Sequence, residues 1–367
     1  MLKLTPFRSA PIAAALTFLA AATPAFAQKE VGHETRDSAL STEQLRLERM
    51  HPVERIRREA AKAIKLVTTD TGQMYLVAAN WLPIVSDRTV FQDKGTRHAV
   101  TLADFEAMPK ETQPNYSEVK LDATFYYYTR YGSPLAYSRP FDLLAAQVDS
   151  HGNWFANKRI LDFGVGGIAP IRLMGIAGAD AVGVDVDPLL APLYSQEGDQ
   201  GPISGPRDMI KDAVDGKVTL ITGSWPSDPA IKGKVGDGFD LVISKNTLKR
   251  GYIHPEQEVD KRMLIDLGAT DEAFVKAVAE IIKPGGFFMI YNLSPAQSTD
   301  KYIPWADGRC PFDRALLEAA GFEVIEFDRD DSTAARALGA ALGWNEGESP
   351  MDLENDLFAH YTLLRRK

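Results

Sequence analysis

The stretch RILDFGVGGIAP, residues 159–170, narrows the fold more than any other part of this chain. An apolar run carries an acid, Asp162, and is followed by three glycines within four positions and then a proline. The run has the length of a buried strand and ends on turn-forming residues. Gly164, Gly166 and Gly167 give a backbone that can turn sharply and admit a ligand against it. Ile168, Ile171, Leu173 and Ile176 then recur at helical spacing. The open N–H groups of a helix N-terminus favour negative charge. AVGVDV, residues 181–186, reads as a second strand, and it brings Asp185 to its end. A carboxylate there can accept hydrogen bonds from both hydroxyls of a ribose, so the unit suits a nucleoside-containing ligand.

From residue 158 onward, strands alternate with helical stretches. Further strands are expected at 217–223, 239–244, 287–293, 323–328 and 357–366, with helices at 271–283 and 314–322. Continuous Val/Ile/Leu strands between helices imply a parallel sheet covered on both faces, an α/β doubly wound fold. Ligands of such sheets sit at the carboxyl ends of the strands, near the point where strand order reverses. Ahead of this unit, residues 43–67 read as helix broken at His51-Pro52, and residues 72–87 contain a strand-like apolar run. Residues 88–105 read as a hairpin followed by a short helix, and the aromatic-rich residues 123–147 end in a helix. The division expected is a leader at 1–27, an N-terminal helical and hairpin lid region at 28–150, and the α/β domain at 151–367.

The leader has the pattern of a secretory signal peptide. Lys3 and Arg8 precede a short apolar stretch, and Ala25-Phe26-Ala27 forms a small-x-small cleavage site. The apolar stretch is shorter than a membrane span needs. The expected location is therefore outside the cytoplasm, periplasmic or secreted, without stable membrane insertion. The net charge is −9, and loss of residues 1–27 takes two positive charges and no acid, leaving −11. That balance argues against nucleic acid as a partner, which needs a basic surface. The lone Cys310 rules out an internal disulfide, and in its context it reads as a packed small residue. The six histidines are scattered, with no metal-ligand spacing, so no metal is expected.

Gly164-x-Gly166-x-x-Ala169 also fits a dinucleotide fingerprint, but three features point elsewhere. Asp162 stands where dinucleotide folds usually have an apolar residue, and a carboxylate there can engage a ligand amine. The unit begins in mid-chain. The turn into the fifth strand reads KPGGFFMIYNL, and the chain closes on a probable hairpin of its last two strands. With ILDFGVGG (160–167), VGVDVD (182–187), ITGSW (221–225), FDLVISKNTL (239–248) and IIKPGGFFMIYNL (281–293), the chain resembles the class I S-adenosylmethionine-dependent methyltransferases. The resemblance runs from about residue 158 to the C-terminus. It implies a seven-stranded, mostly parallel sheet with its last strand antiparallel, and S-adenosylmethionine as cofactor. It implies that Gly164, Gly166 and Gly167 line the methionine part, that Asp185 holds the ribose and Val186 packs on the adenine. Ser224 and Trp225 would lie near the adenine, where many relatives carry an acid. Ser244 and the residues after it would lie by the substrate and the methionine part. The Asn/Asp-Pro-Pro-Tyr pattern of amino-methylating DNA and protein enzymes is absent there.

The chemistry implied is methyl transfer to a small-molecule acceptor. It asks the chain for alignment and exclusion of water, and for a base only if the acceptor must lose a proton. Lys245, Tyr252 and His254 are the candidate bases. Tyr131, Tyr137 and Arg139 could cover the cofactor or meet a substrate carboxylate. Two alternatives stay open: an exported, non-catalytic nucleoside or small-ligand binder on the same fold, and an NAD-type oxidoreductase. The acceptor and the oligomeric state are not legible.

Overall fold

The computed structural model describes residues 50–367, apart from residues 97, 129–131, 149–151, 209–212 and 348–349. The expected signal segment and Tyr131 lie outside the described residues. The chain opens with helix α1 (Pro52–Ala63) and α2 (Asp70–Val77). Residues 72–87, expected to hold a strand, instead continue α2 into a 3-10 turn, Ala78–Trp81. The reason is a cap and a distant carboxylate. Thr69 Oγ1 accepts from the Gly72 N–H, and Asp142 accepts from the backbone N–H groups of Thr68 and Thr69 at 2.9 and 2.8 Å.

Strands β1 (Arg88–Asp93), β2 (Ala99–Val100) and β3 (Tyr116–Leu121) form a small antiparallel sheet ordered β2-β1-β3. The expected hairpin is β1–β2, with the short helix Leu102–Ala107 after it. The helix Ala123–Tyr128, a 3-10 turn Pro134–Tyr137 and α3 (Ser138–Gln147) then lead into the main sheet.

That sheet holds β4 (Arg159–Phe163), β5 (Asp180–Asp185), β6 (Gly201–Ile203), β7 (Gly216–Thr222), β8 (Phe239–Lys245), β9 (Ile282–Ser294), β10 (Phe322–Asp330) and β11 (Phe358–Arg366). Its order is β10-β11-β9-β8-β4-β5-β7-β6. The α/β, mostly parallel, doubly wound class is as expected, and β11 runs antiparallel between β9 and β10. The strand number corrects upward, to eight from seven. The added strand is β6, three residues paired antiparallel to the edge of β7. It contains Pro202 and no apolar run, a composition suited to an edge.

Helices α4 (Ala169–Ile176), α5 (Pro229–Val235), α6 (Asp271–Ile281), α7 (Arg314–Ala319) and α8 (Ser332–Ala341) cover the sheet. Every residue of α4 is buried, including Arg172, whose guanidinium donates to the Gly198 and Asp199 carbonyls. One core packs Ile160, Ile171, Ile243 and Met289 against Val53, Ile56, Tyr75 and Phe141 of the N-terminal layer. The other packs Leu161, Val242 and Phe288 against Phe274 and Val278 of α6. The N-terminal layer is thus a wall of the first core. The expected start of β9 after KPGG is also refined: β9 begins at Ile282, and register shifts between Ile282 and Phe287 as Pro284-Gly285-Gly286 bulges within it.

Candidate functional site

Strand order reverses between β4 and β8, and the loops at their carboxyl ends meet there. Gly164 and Gly166 take left-handed φ values of 73° and 64°. A Cβ on Gly164 would fall 2.7 Å from Thr247 Cβ, so only glycine fits. Thr247 Oγ1 donates to the Gly164 carbonyl at 3.2 Å, which ties the β8 loop to the glycine loop. Gly167 is buried just ahead of α4.

Asp185 closes β5 with its carboxylate locked in place. Gly166 N–H donates to Oδ2 at 2.9 Å, and Asp187 N–H donates to Oδ1 at 2.9 Å. Each carboxylate oxygen can accept more than one hydrogen bond. The side chain is therefore oriented by the glycine loop while keeping the capacity to hold a polyol. Beside it Val186 is 59 % exposed, an uncovered apolar side chain next to an acid that is held rigidly.

Asp162 is fully buried on β4, and among the described residues neither of its carboxylate oxygens has a hydrogen-bond partner of good geometry. Burial pushes its carboxyl up to about 7; the Tyr137 hydroxyl and Lys245 favour the ionised form, and Asp185 opposes it. Lys245, at the end of β8, is 1 % exposed. Burial pushes its ammonium down to about 8, and Asp162 holds it up. Its Nζ lies 5.3 Å from the Tyr137 ring centroid. Tyr75 packs here as well, fully buried, its hydroxyl donating to the Pro134 carbonyl at 3.0 Å. Asp162 pushes the Tyr75 phenol further above its ordinary range, adding to the effect of burial.

Asn246 follows Lys245 with φ 65°, an uncommon conformation for a residue with a side chain. Its N–H donates to the Tyr291 carbonyl, and its Oδ1 accepts from the Leu293 N–H at 2.7 Å. Ser244 is buried and accepts from the Leu248 N–H at 3.4 Å. Lys249 is 4 % exposed and donates to the carbonyls of Leu293 and Trp305. Burial and the charge of Lys245 push it down to about 7.

The structure thus brings Asp162, Gly164, Gly166, Gly167, Asp185, Val186, Ser244 and Lys245 to one end of the sheet. Others stand apart. Trp225 is a core residue, edge-on to Phe163 and Phe274, and its buried indole N–H has no partner among the described residues. Ser224 is exposed and accepts the Asp228 N–H through its carbonyl. His254 is exposed and bonded to Asp271 at 2.7 Å, at the start of α6. Tyr252 lies against Lys249, and burial pushes its phenol up to about 12, away from service as a base near neutrality. Arg139 is held bidentately by Asp331 at 2.8 and 2.6 Å and touches Asp142. Its role is to clamp α3 to the segment before α8, which leaves no fork for a substrate carboxylate. Cys310 is buried with its thiol pushed up to about 12, a packed residue as expected. Asn246 and Thr247 belong to the FDLVISKNTL stretch that the resemblance sets beside the cofactor, whereas Tyr75 carries no local sequence signal and packing alone brings it in.

Among the described residues no helix is long and apolar enough to cross a membrane, and no cluster of three His, Cys, Asp or Glu side chains is placed to hold a metal. No family model matches the chain, and no curated protein matches it. Among solved structures it is similar to the (4+2)-cyclase SpnF, at 16% identity and TM-score 0.35 over 62% of this chain and 80% of that one. It is similar to magnesium protoporphyrin IX methyltransferase from Synechocystis PCC 6803, crystallised with S-adenosylhomocysteine, at 11% identity and TM-score 0.33 over 64% and 84%. A third is 1,6-didemethyltoxoflavin-N1-methyltransferase from Burkholderia thailandensis, at 14% identity and TM-score 0.31 over 61% and 75%. These likenesses are loose, and what each neighbour binds belongs to that neighbour.

Proposed function

We propose that the chain binds S-adenosylmethionine across the carboxyl ends of β4, β5 and β8 and transfers its methyl group to a small-molecule acceptor. The observation that carries the reading is the acid Asp185, fixed by the Gly166 N–H of the glycine loop it faces and by the Asp187 N–H that follows its own strand. The buried Asp162 fits the same ligand. Among the described residues its two carboxylate oxygens have no donor of good geometry and no bonded cation, a costly state that an amine from a ligand would relieve. In this reading Asp185 holds the ribose, Val186 packs on the adenine, Gly164, Gly166 and Gly167 flank the methionine part, and Asp162 receives its amine. When bound, the cofactor supplies an electrophilic sulfonium methyl group. The chain's task is to align an acceptor with it and exclude water.

The test is thermal stabilisation of the purified chain by S-adenosylmethionine, S-adenosylhomocysteine and NAD. A ligand at 100 times its dissociation constant adds about 2.7 kcal/mol to stability. The two adenosyl ligands are expected to raise the melting temperature and NAD is not; a shift with NAD alone sinks the reading. Export is proposed on the leader sequence alone. Recovery of an epitope-tagged chain only from the cytosol, at full length, would refute it.

A further inference from the structure

We propose that Lys245 is the anion-binding residue of this site and takes the carboxylate of the ligand's amino-acid end, so that Asp162 and Lys245 together select a zwitterion. The inference rests on the function proposed above. In the parallel pairing of β4 with β8, Asp162 is opposite Ile243, which sets Lys245 one pleat further along. Side chains alternate across a sheet, so Asp162 and Lys245 share the face of Ile160 and Ile243. They are diagonal neighbours, about 7–8 Å apart at the backbone. Both are buried, yet among the described residues they do not close into an ion pair, and Lys245 Nζ lies instead 5.3 Å from the Tyr137 ring centroid. Neither buried charge therefore has an opposite charge bonded to it among the described residues.

The ammonium and carboxylate of an amino acid sit on one carbon. If Asp162 receives the ammonium, the carboxylate must lie beside it, and Lys245 is the cation that faces Asp162. The other nearby cation, Lys249, is already spent on two backbone carbonyls. Thr247, two residues after Lys245, touches the glycine loop, so the carboxyl end of β8 lies against that loop. The pair would then discriminate S-adenosylmethionine and S-adenosylhomocysteine from ligands that share the adenosine but lack either charge.

Three probes separate the contributions: S-adenosylhomocysteine, its decarboxylated analogue, which keeps the amine, and 5′-methylthioadenosine, which has neither charge. The wild-type chain is expected to bind S-adenosylhomocysteine about 10- to 100-fold more tightly than the decarboxylated analogue, the worth of one charge-assisted hydrogen bond. In Lys245→Met that gap closes while 5′-methylthioadenosine binds as before, which also shows that the variant is folded. Lys245→Arg, which keeps the cation, retains most of the gap. A lysine that acted only by keeping Asp162 ionised would weaken both amine-bearing ligands equally and leave the gap intact, overturning the proposal. Absence of a gap in the wild-type chain overturns it without any variant. If no adenosyl ligand binds the wild-type chain, the proposed function itself has failed instead.

Discussion

Asp162 and Lys245 give the site its pH dependence. Asp162 faces Tyr137, Tyr75, Lys245 and Asp185, and burial pushes its carboxyl up to about 7. Lys245 faces Asp162, Tyr137 and Lys249, and burial pushes its ammonium down to about 8. A ligand amine needs the acid ionised, so affinity falls as pH drops below about 7. A ligand carboxylate needs the lysine protonated, so affinity falls again above about 8, where the ligand's own amine also titrates. Affinity for S-adenosylhomocysteine, measured by calorimetry across pH 5.5 to 9.5, is expected to peak between the two. The limbs belong to the coupled pair rather than to either residue. Asp162→Asn should flatten the acid limb; a flat profile in the wild-type chain would contradict the pairing. Asp162 and Asp185 are legible in the sequence because each follows an apolar run at a strand end. The meeting of Asp162 with Lys245 is not, because it depends on β8 lying beside β4, some 80 residues away.

At the level of elements, the N-terminal layer is fastened to the sheet through buried charges. Arg88 of β1 pairs with Asp199 at 2.9 Å, with both side chains under a tenth exposed. Tyr126 donates to the same carboxylate at 2.8 Å, and Arg172 of α4 donates to the Gly198 and Asp199 carbonyls at 2.6 Å. Removing one partner leaves a buried charge unpaired, at a cost of about 3–5 kcal/mol. Arg88→Met is therefore expected to lower unfolding stability by that amount in urea titration, and the double variant Arg88→Met/Asp199→Leu by less. An unchanged midpoint for the single variant would show that the pair carries no stability. The strands beside this anchor were readable where continuous apolar runs meet turn residues, as in β4, β5, β7 and β8. The strand-like run within 72–87 folds as helix because MYLVAA suits a helix or a strand equally, and the deciding carboxylate, Asp142, lies far along the chain. β3 and β6 escaped notice because neither has an apolar run of its own; each is an edge strand defined by its neighbour.

The whole molecule is one sheet with two unlike coverings. Helices α5, α6 and α7 come from the α/β unit itself. The opposite face carries α4 and α8 and is completed by residues that precede the unit, including Val53, Ile56, Tyr75, Leu135 and Phe141. The same covering encloses Asp162 and Lys245, so one layer closes both the core and the site. A fragment of residues 151–367 would expose this apolar face, and it is expected to lose the cooperative thermal transition of residues 50–367. A sharp melt of the fragment by circular dichroism would show that the layer is dispensable for folding. That this layer packs as a wall of the core, with a polar site beneath it, follows from contacts between segments distant in sequence, which local patterns do not encode. The binding claim itself is decided by calorimetric titration of S-adenosylhomocysteine into the wild-type chain and Asp185→Ala side by side. The account expects micromolar binding in the first and a loss of about 2–4 kcal/mol in the second, since charged hydrogen bonds are the strong ones. Equal binding by both proteins, or none by the wild type, would contradict it.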